Sequence, residues 1–465
     1  MDSKDRRIAE LEALLAERDA RIARLLLVIE KLSARIKELE RRLGLNSSNS
    51  SRPPASDGLR KAAPQSLREK SGKPSGGQPG HPGHTLRQVA QPDRVITYTL
   101  DHCPRCGSAL PPDAFTGVRK RQVFDIPAPR IEVTEHQVRM QRCPCCEAQV
   151  MAGFPAGVQA PVQYGEHTKA LAVYLHQQQL IPEDRLQDLF WDVFALPVST
   201  ATLVANSVAF AAQVAPFTGA IAARLRSAPV KHLDESGLRV AGKLHWLHVL
   251  CNDQWTDYRV AEKRGALPEG LTGIVVHDHF KPYYTLAAVD HALCNAHHLR
   301  ELKGIGEIDA EPWAGAMARL LRLACHLTHR GPVPPARSGR IGRLYDAIVE
   351  RALFFHERQE PLPRATRGRQ KHRPGHNLAL RLRDFKDDVL RFLSGSDVPF
   401  TNNQAEQDLR MIKVQQKISG AFRTLVGAQV FATIRSFLST MRKQGINLFE
   451  AIMHPERAYF ATAGP

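Results

Sequence analysis

The chain has 465 residues, enough for two to four domains and a sizeable core. Its net charge of +17 points to a polyanionic partner, nucleic acid ahead of an acidic membrane surface. No uninterrupted apolar run reaches the ~18 residues of a membrane span, and the charged N-terminus lacks a signal-peptide core, so a soluble, intracellular protein is expected.

Residues 1–45 carry a heptad. Ile8, Leu15, Ile22, Ile29, Ile36 and Leu43 take the a positions, and Leu11, Leu25, Leu32 and Leu39 take d, with Arg18 the one break. Ile at a with Leu at d favours a parallel two-stranded coil, so this segment is expected to form a homodimer or a higher assembly. The alternative is one amphipathic helix packed on the chain's own body. Residues 46–92 are rich in Ser, Pro and Gly and cannot build a core, which predicts a flexible linker. Arg60, Lys61, Arg68, Lys70 and Lys73 make it basic, suited to lying along phosphates or simply to solubility.

Five of the eight cysteines fall between Cys103 and Cys146, which in a reducing compartment favours metal over disulfides. Cys103-Pro-Arg-Cys106 and Cys143-Pro-Cys145-Cys146 read as paired knuckles. RQVFDIP and RIEVTEHQVRM between them read as the two strands of a hairpin. The pattern predicts a zinc domain over 93–155 with Cys103, Cys106, Cys143 and Cys146 as ligands. Cys145 is an alternative to Cys143 or Cys146. Four thiolates leave no open coordination position, so the role of the zinc is structural.

Residues 156–228 read as helical. DRLQDLFWDVF, a short ALPV turn and a second helix opening at Ser199 resemble a helix-turn-helix, with two helices packed in a core as the alternative. From Val230 the period changes to strands: VKHLDESGLRV with Asp234, KLHWLHVLC, WTDYRVAE, and GIVVHD, an apolar run ending at Asp278. HALCN then leads into the helix AHHLRELK. Residues 301–395 read as a helical insertion, and RATRGRQKHRPGHN at 364–377 as a DNA-contacting loop with Arg367, Arg369, Lys371 and Arg373, or a merely soluble one.

At TNNQAEQDLR, Thr401 and Gln404 have capping-box spacing, which predicts a helix start. Asn403, Glu406, Arg410 and Lys413 then share one face. A lone acid among cationic and amide groups suits a carboxylate that holds a metal ion while its neighbours hold a phosphodiester. A solvated, salt-bridged face is the bland alternative. Strands carrying Asp234 and Asp278, followed by a helix with Glu406, make a mixed α/β sheet, and acids at strand ends are where such sheets place ligand sites. Residues 229–300 and 396–440 form this domain, and 441–465 a helical tail.

The linker motifs GLNSSNSSRPPASDG and GGQPGHPGHTL, the paired cysteines, and HLDESG, VVHDHFKPYY, ALCNAHHLREL and NNQAEQDLR with KISGAFRT and FATIRSFLSTMRKQG resemble the transposases of the insertion-sequence-66 family. The resemblance covers most of the chain. It implies a DDE-type enzyme with a ribonuclease-H-like fold and Asp234, Asp278 and Glu406 as the acidic triad. Many members have Asp-Gly-Tyr where this chain has Asp278-His279-Phe280, which leaves the roles of His279 and Phe280 open.

The expected protein is therefore multidomain α/β: coiled coil, zinc hairpin, helical DNA-binding segment, ribonuclease-H-like sheet with a helical insertion, and helical C-terminus. Two Mg2+ or Mn2+ ions would be held by the triad, Asp234 between both and Asp278 and Glu406 on one each. The chemistry is cleavage at element ends and 3′-hydroxyl strand transfer into target DNA. Arg410, Lys413, His297, His298 and Arg300 are candidate phosphate contacts, with packed or solvated roles as the alternative for those following the strand. Helper proteins from the same element are possible partners, and a cytoplasmic, nucleoid-associated bacterial protein is expected. The rival classes are a zinc-containing DNA-binding regulator and a nuclease that does not join strands.

Overall fold

The computed structural model describes residues 3–50, 80, 86–113, 116–362, 370–395 and 397–457. The heptad segment forms one helix, α1 (Ser3–Gly44), whose a and d side chains from Ile8 to Leu43 are exposed. Only its C-terminal end meets the body among the described residues. Arg41 Nε lies 3.4 Å from Asp309 Oδ1. The Asn49 side chain donates to Gly44 O at 3.0 Å and accepts from Asn46 N at 2.8 Å, closing a turn that caps α1. This turn rests on Gly304, where a Cβ would stand 2.1 Å from Asn49 O, so glycine is required for the approach. Residues 46–50 are thus a structured cap rather than the start of a linker. The linker residues Arg60, Lys61, Arg68, Lys70 and Lys73 lie outside the described residues.

The two strands expected between the cysteine knuckles do not form. RQVFDIP and RIEVTEHQVRM are almost wholly exposed and unpaired until Met140. The hairpin is instead built around the second knuckle, from β1 (Met140–Arg142) and antiparallel β2 (Gln149–Met151). Alternating polarity marks a segment that can be a strand, but a ladder also needs a neighbour. Here the neighbour of residues 119–122 is residues 88–89, joined through glutamine side chains: Gln122 pairs with both backbone groups of Val89 at 2.7 and 2.8 Å, and Gln88 donates to Lys120 O at 3.0 Å.

Helix α2 (Glu166–Val173) runs into a π-turn at Tyr174–Gln178, and α3 (Glu183–Phe194) and α4 (Thr200–Ser227) follow. Ser199 caps α4 by accepting from Thr202 N at 3.2 Å. Helix α4 is long and apolar enough to cross a membrane, but its apolar residues have another destination. Phe210, Val214, Phe217, Ile221 and Leu225 share a core cluster with Leu233, Leu250 and Val275 of the sheet. The second helix of the helix-turn-helix reading is therefore a wall of the sheet's core along most of its length.

The sheet contains β3 (Val230–Val240), β4 (Lys243–Cys251), β5 (Thr256–Ala261), β6 (Gly273–His277) and β7 (Val289–Leu293) in the order β5-β4-β3-β6-β7. Antiparallel β4 and β5 form a meander on one side of β3, and β6 and β7 run parallel to it on the other. Near-continuous burial of β6 matches its apolar sequence, as expected of a strand covered on both faces.

Helices α5 (Asn295–Ile308), α6 (Pro312–Thr328), α7 (Pro335–Glu357), α8 (Pro374–Asp384) and α9 (Lys386–Leu390) follow β7. They bury Trp313, Met317, Leu321, Tyr345 and Leu378 against Val276, Ala292 and Leu293. Then come α10 (Asn403–Asp408), α11 (Arg410–Ser419), α12 (Leu425–Lys443) and α13 (Leu448–Met453). Helix α12 runs along the edge of β5. Ser436 Oγ accepts from Tyr258 N at 2.8 Å and Thr440 Oγ1 from Thr256 N at 3.1 Å, so hydroxyls satisfy the edge strand's donors. At the other edge, Arg391 Nε donates to His291 O at 2.6 Å.

Candidate active site

Strand register brings the first two acids together. His232 of β3 is opposite Val276 of parallel β6, and two residues further along each chain stand Asp234 and Asp278. Asp278 Oδ1 accepts from Phe280 N at 2.8 Å, a side-chain turn that ends the strand path. The third acid arrives on α10, whose position is set by Asn402. Its Nδ2 donates to Leu233 O at 2.8 Å, its Oδ1 meets His232 Nδ1 at 2.8 Å, and its backbone N points at Cys294 Sγ at 3.1 Å. Glu406 N donates to Asn402 O at 3.2 Å, so the helix that carries the acid hangs from a residue clamped to β3.

This clamp displaces the expected capping box. Asn402, not Thr401, occupies the N-cap of α10, and no side chain caps the helix, because the Asn402 amide is committed to β3. The helix is also interrupted at Leu409 before α11.

The electrostatics couple the three acids, although their carboxylate oxygens do not all come within 4.8 Å of one another. Burial raises the Asp234 carboxyl well above the usual carboxylate range, the neighbouring Glu235 charge adds to this, and so do Asp278 and Glu406. The Glu235 amide, donating to Asp234 Oδ1 at 2.8 Å, works in the opposite direction. Burial lowers Lys413 and the Asp234 charge pulls it back up, which puts this lysine beside the acids. Arg300 Nη2 stands 3.6 Å from Glu406 Oε1. Arg410 is exposed on the following turn.

Glu235 belongs to the other face. Its carboxylate takes the Tyr283 hydroxyl and the Arg264 Nε at 2.7 Å, and the Arg264 guanidinium stacks over Phe280 at 4.0 Å and Trp246 at 5.0 Å. Phe280 thus packs the loop after Asp278. Asp408 lies off the site too, paired with Lys443 Nζ at 2.6 Å and bonded to Thr256 Oγ1 at 3.2 Å.

His298 is not a DNA contact. It is fully buried and both ring nitrogens are used. Tyr284 hydroxyl bonds His279 Nδ1 at 2.9 Å, His279 Nε2 meets His298 Nε2 at 2.9 Å, and His298 Nδ1 meets Asn295 Oδ1 at 3.0 Å. With Tyr284 donating first, every proton in the chain can be assigned in one direction, ending where Asn295 Nδ2 donates to Val389 O at 2.9 Å. Burial, with the Arg381 charge second, pushes His279 down to about 3, so it stays neutral and able to play both parts. His279 therefore ties the Asp278 loop to α5. His297, one residue before His298, faces the acids: burial and Arg300 push it down to about 4 while Asp278 acts against them.

Of the basic loop, Arg367 and Arg369 lie outside the described residues. Lys371 is exposed, and Arg373 precedes α8 with Nη1 donating to Glu360 O at 2.8 Å.

The cysteine knuckles repeat one geometry. Cys103 N donates to Ser108 O at 2.9 Å and Gly107 N to Cys103 O at 2.9 Å; Cys143 N donates to Ala148 O at 2.8 Å and Glu147 N to Cys143 O at 2.9 Å. Gly107 and Glu147 both take positive φ, 74° and 56°. Hydrogen bonds lower the Cys106 thiol, chiefly from Ser108, and the Cys143 thiol, chiefly from the Cys146 backbone. Each knuckle thus brings its own pair together and favours thiolate, the form a metal takes. Cys145 is exposed. The structure does not bring the four thiols within 4.8 Å of one another; the group of three that meets that spacing among the described residues is Cys294, His297 and Glu406.

Asn402 and Cys294 were missed as functional residues by sequence reasoning. Their signal was their place inside NNQAE and ALCNAHH, next to residues that were singled out.

Residues 161–430 match the family model described as Transposase IS66 family. Residues 101–147 match the zinc-finger binding domain of transposase IS66, and residues 2–87 a family of unknown function. No match was found among curated proteins.

Proposed function

The chain belongs to the IS66 transposase family, and from that premise we propose that it cuts DNA at the ends of its element and joins the freed 3′-hydroxyl to target DNA, with Asp234, Asp278 and Glu406 as the catalytic acids. One observation carries the assignment. Three acids come from a strand, a loop after a second strand and a late helix, and Asp278 and Glu406 both act on the Asp234 carboxyl, behind burial and Glu235. Charges that keep a neighbouring buried acid protonated are a mark of functional sites, where a cation can offset them.

The donor set fits divalent magnesium or manganese, because it is carboxylate and because Glu406 Oε1 is shielded without a hydrogen-bond partner. Such ions activate the attacking oxygen and stabilise the leaving one. The chain's residues do the rest. Asn402 and the Asp278 turn fix the acids, while Lys413, Arg300 and Arg410 supply positive charge for the phosphodiester. Lys371 and Arg373 offer further positive charge to DNA, and Arg367 and Arg369 stay candidates from the sequence alone. A mixed sheet with its acid on the central strand supports the ribonuclease-H-like reading. The α3–α4 pair is a further candidate for DNA contact through the exposed start of α4.

Structural zinc in the Cys103, Cys106, Cys143 and Cys146 knuckles would close them into one unit. Pairing of α1 seams would give a dimer that holds two element ends. The same reading puts the protein in the bacterial cytoplasm on nucleoid DNA, with helper proteins from its element.

The test is incubation of the full chain with labelled element ends, target DNA and Mg2+. Cleaved and joined products are expected, and both are lost in Asp234→Asn, Asp278→Asn and Glu406→Gln. Cleavage without joining assigns a nuclease. Normal products from all three variants remove the catalytic reading and leave a DNA-binding regulator.

A further inference from the structure

We infer that His297 is a ligand at the Glu406 metal position and makes that position selective for Mn2+ over Mg2+; this rests on the reading of Glu406 as a metal-holding acid. Helix α5 starts immediately after Cys294 and places His297 in its first turn, while Glu406 comes from α10. One ligand atom from each of Cys294, His297 and Glu406 lies within 4.8 Å of the others. Ligands at ~2.1 Å from one ion stand up to ~4.2 Å apart, so a small rotation closes the set on a single ion.

His297 and Glu406 each carry an atom without a hydrogen-bond partner. His297 Nδ1 and Glu406 Oε1 are both shielded from solvent and have no hydrogen-bond partner. A buried polar atom without a partner is costly, and native folds leave few of them. A ring nitrogen and a carboxylate oxygen left unpartnered on two residues this close can supply part of a coordination sphere. Arg300 Nη2 is ion-paired with Glu406 Oε1 at 3.6 Å, beyond hydrogen-bond distance, so an ion on this carboxylate has to share it with the guanidinium.

The third member plays a different part. Cys294 Sγ already accepts from Asn402 N at 3.1 Å and is buried, so it lines the position without completing it. Two protein ligands with open positions remain for water and a phosphate oxygen. The donor types decide the metal. Mg2+ takes oxygen ligands, whereas an imidazole nitrogen gains affinity along the first-row transition ions, of which Mn2+ is the weakest binder. A His–Glu pair therefore favours Mn2+ where an all-carboxylate site would not. His297 was considered as a phosphate contact; a shielded, unpartnered Nδ1 beside Glu406 fits an ion better.

Pulsed electron paramagnetic resonance of Mn2+ on the full, zinc-loaded chain tests this, with Mg2+ as competitor. The expected result is bound Mn2+ showing nitrogen coupling from one imidazole. In His297→Ala and His297→Gln the coupling disappears, Mn2+ affinity falls tenfold or more, and Mg2+ affinity changes less than threefold. Cys294→Ser keeps the coupling. Glu406→Gln loses the ion. Circular dichroism and melting confirm that the variants fold, and the wild-type spectrum needs no variant. Bound Mn2+ that Glu406→Gln releases but that shows no nitrogen coupling, or coupling that survives His297→Ala, overturns the inference and leaves the catalytic acids standing. Mn2+ binding indifferent to Glu406→Gln removes Glu406 as a metal acid, and no Mn2+ binding overturns both.

Discussion

The Asn402 side chain donates to the backbone carbonyl of Leu233 at 2.8 Å and so fastens the helix of the third acid to the strand of the first. The same amide meets His232, and the same residue's N–H meets Cys294. Asn402 is 1% exposed, so none of these groups has water as a substitute. Asn402→Ala should lower unfolding free energy by about 1–3 kcal/mol, the scale for buried groups left unpaired. Strand transfer per folded molecule should fall as well, since Glu406 loses its anchor. Urea unfolding and transposition assays on one preparation measure both; a stability loss with full activity would show that α10 is held by other contacts.

The acids separate function from stability in opposite directions. Asp408 and Lys443 are 12% and 11% exposed at 2.6 Å, so Asp408→Asn should cost about 3 kcal/mol as one half of a buried pair while DNA cleavage by folded protein persists. Asp234→Asn should do the reverse, abolishing cleavage and stabilising the protein without added Mg2+. Thermal melting of the two variants decides the matter, and a destabilised Asp234→Asn protein contradicts it.

The pH dependence follows from the same carboxyl. The folded chain holds the Asp234 proton to a higher pH than an unfolded aspartate, whose value is about 3.9. The folded state therefore binds that proton more tightly, and the stability it adds is full at low pH and is lost as pH rises through the raised folded value. The advantage of Asp234→Asn over wild type should grow from about pH 4 upward and then level off. Urea titrations at stepped pH without added Mg2+ measure the difference, and an advantage that shrinks with pH is the contrary result.

Zinc should matter to the knuckles and not to the sheet. Apparent binding energies in small zinc peptides are ~10–16 kcal/mol, so zinc removal or Cys103→Ser should unfold the region around residues 101–151. Limited proteolysis should then cut there and spare residues 164–453. Elemental analysis finding no zinc in protein purified without chelator would end the idea.

The α1 seam should set the assembly. Leu25 and Ile29 are 54% and 57% exposed, so Leu25→Glu with Ile29→Glu costs a lone helix little but places charge in a paired seam. Light scattering should show a dimer becoming a monomer. A mass unchanged by the pair of substitutions assigns assembly elsewhere.

The strands and the three acids were legible because both signals are local. GIVVHD is a buried strand by composition, and Asp234 and Asp278 stand out at matching places along their strands. What was not legible depends on partners distant in sequence. The Thr401 box looked sound until Asn402 was drawn to Leu233. His298 looked available until His279 and Asn295 took its two nitrogens. RIEVTEHQVRM alternates like a strand, but among the described residues only its last, Met140, has a strand beside it. The apolar stripe of α4 announces a buried face without saying that the sheet buries it.

Chain order gives the edge cover of β5 a kinetic meaning. Synthesis proceeds from the N-terminus, so β5 leaves the ribosome long before Ser436 and Thr440, which satisfy its Thr256 and Tyr258 donors. For that interval the nascent sheet has an open edge, able to accept a stray strand. Helix α1 emerges before the sheet, so its exposed seam is available for pairing while the sheet is still unfinished. A chain truncated before Ser436 would keep every triad acid and still present an open, aggregation-prone edge.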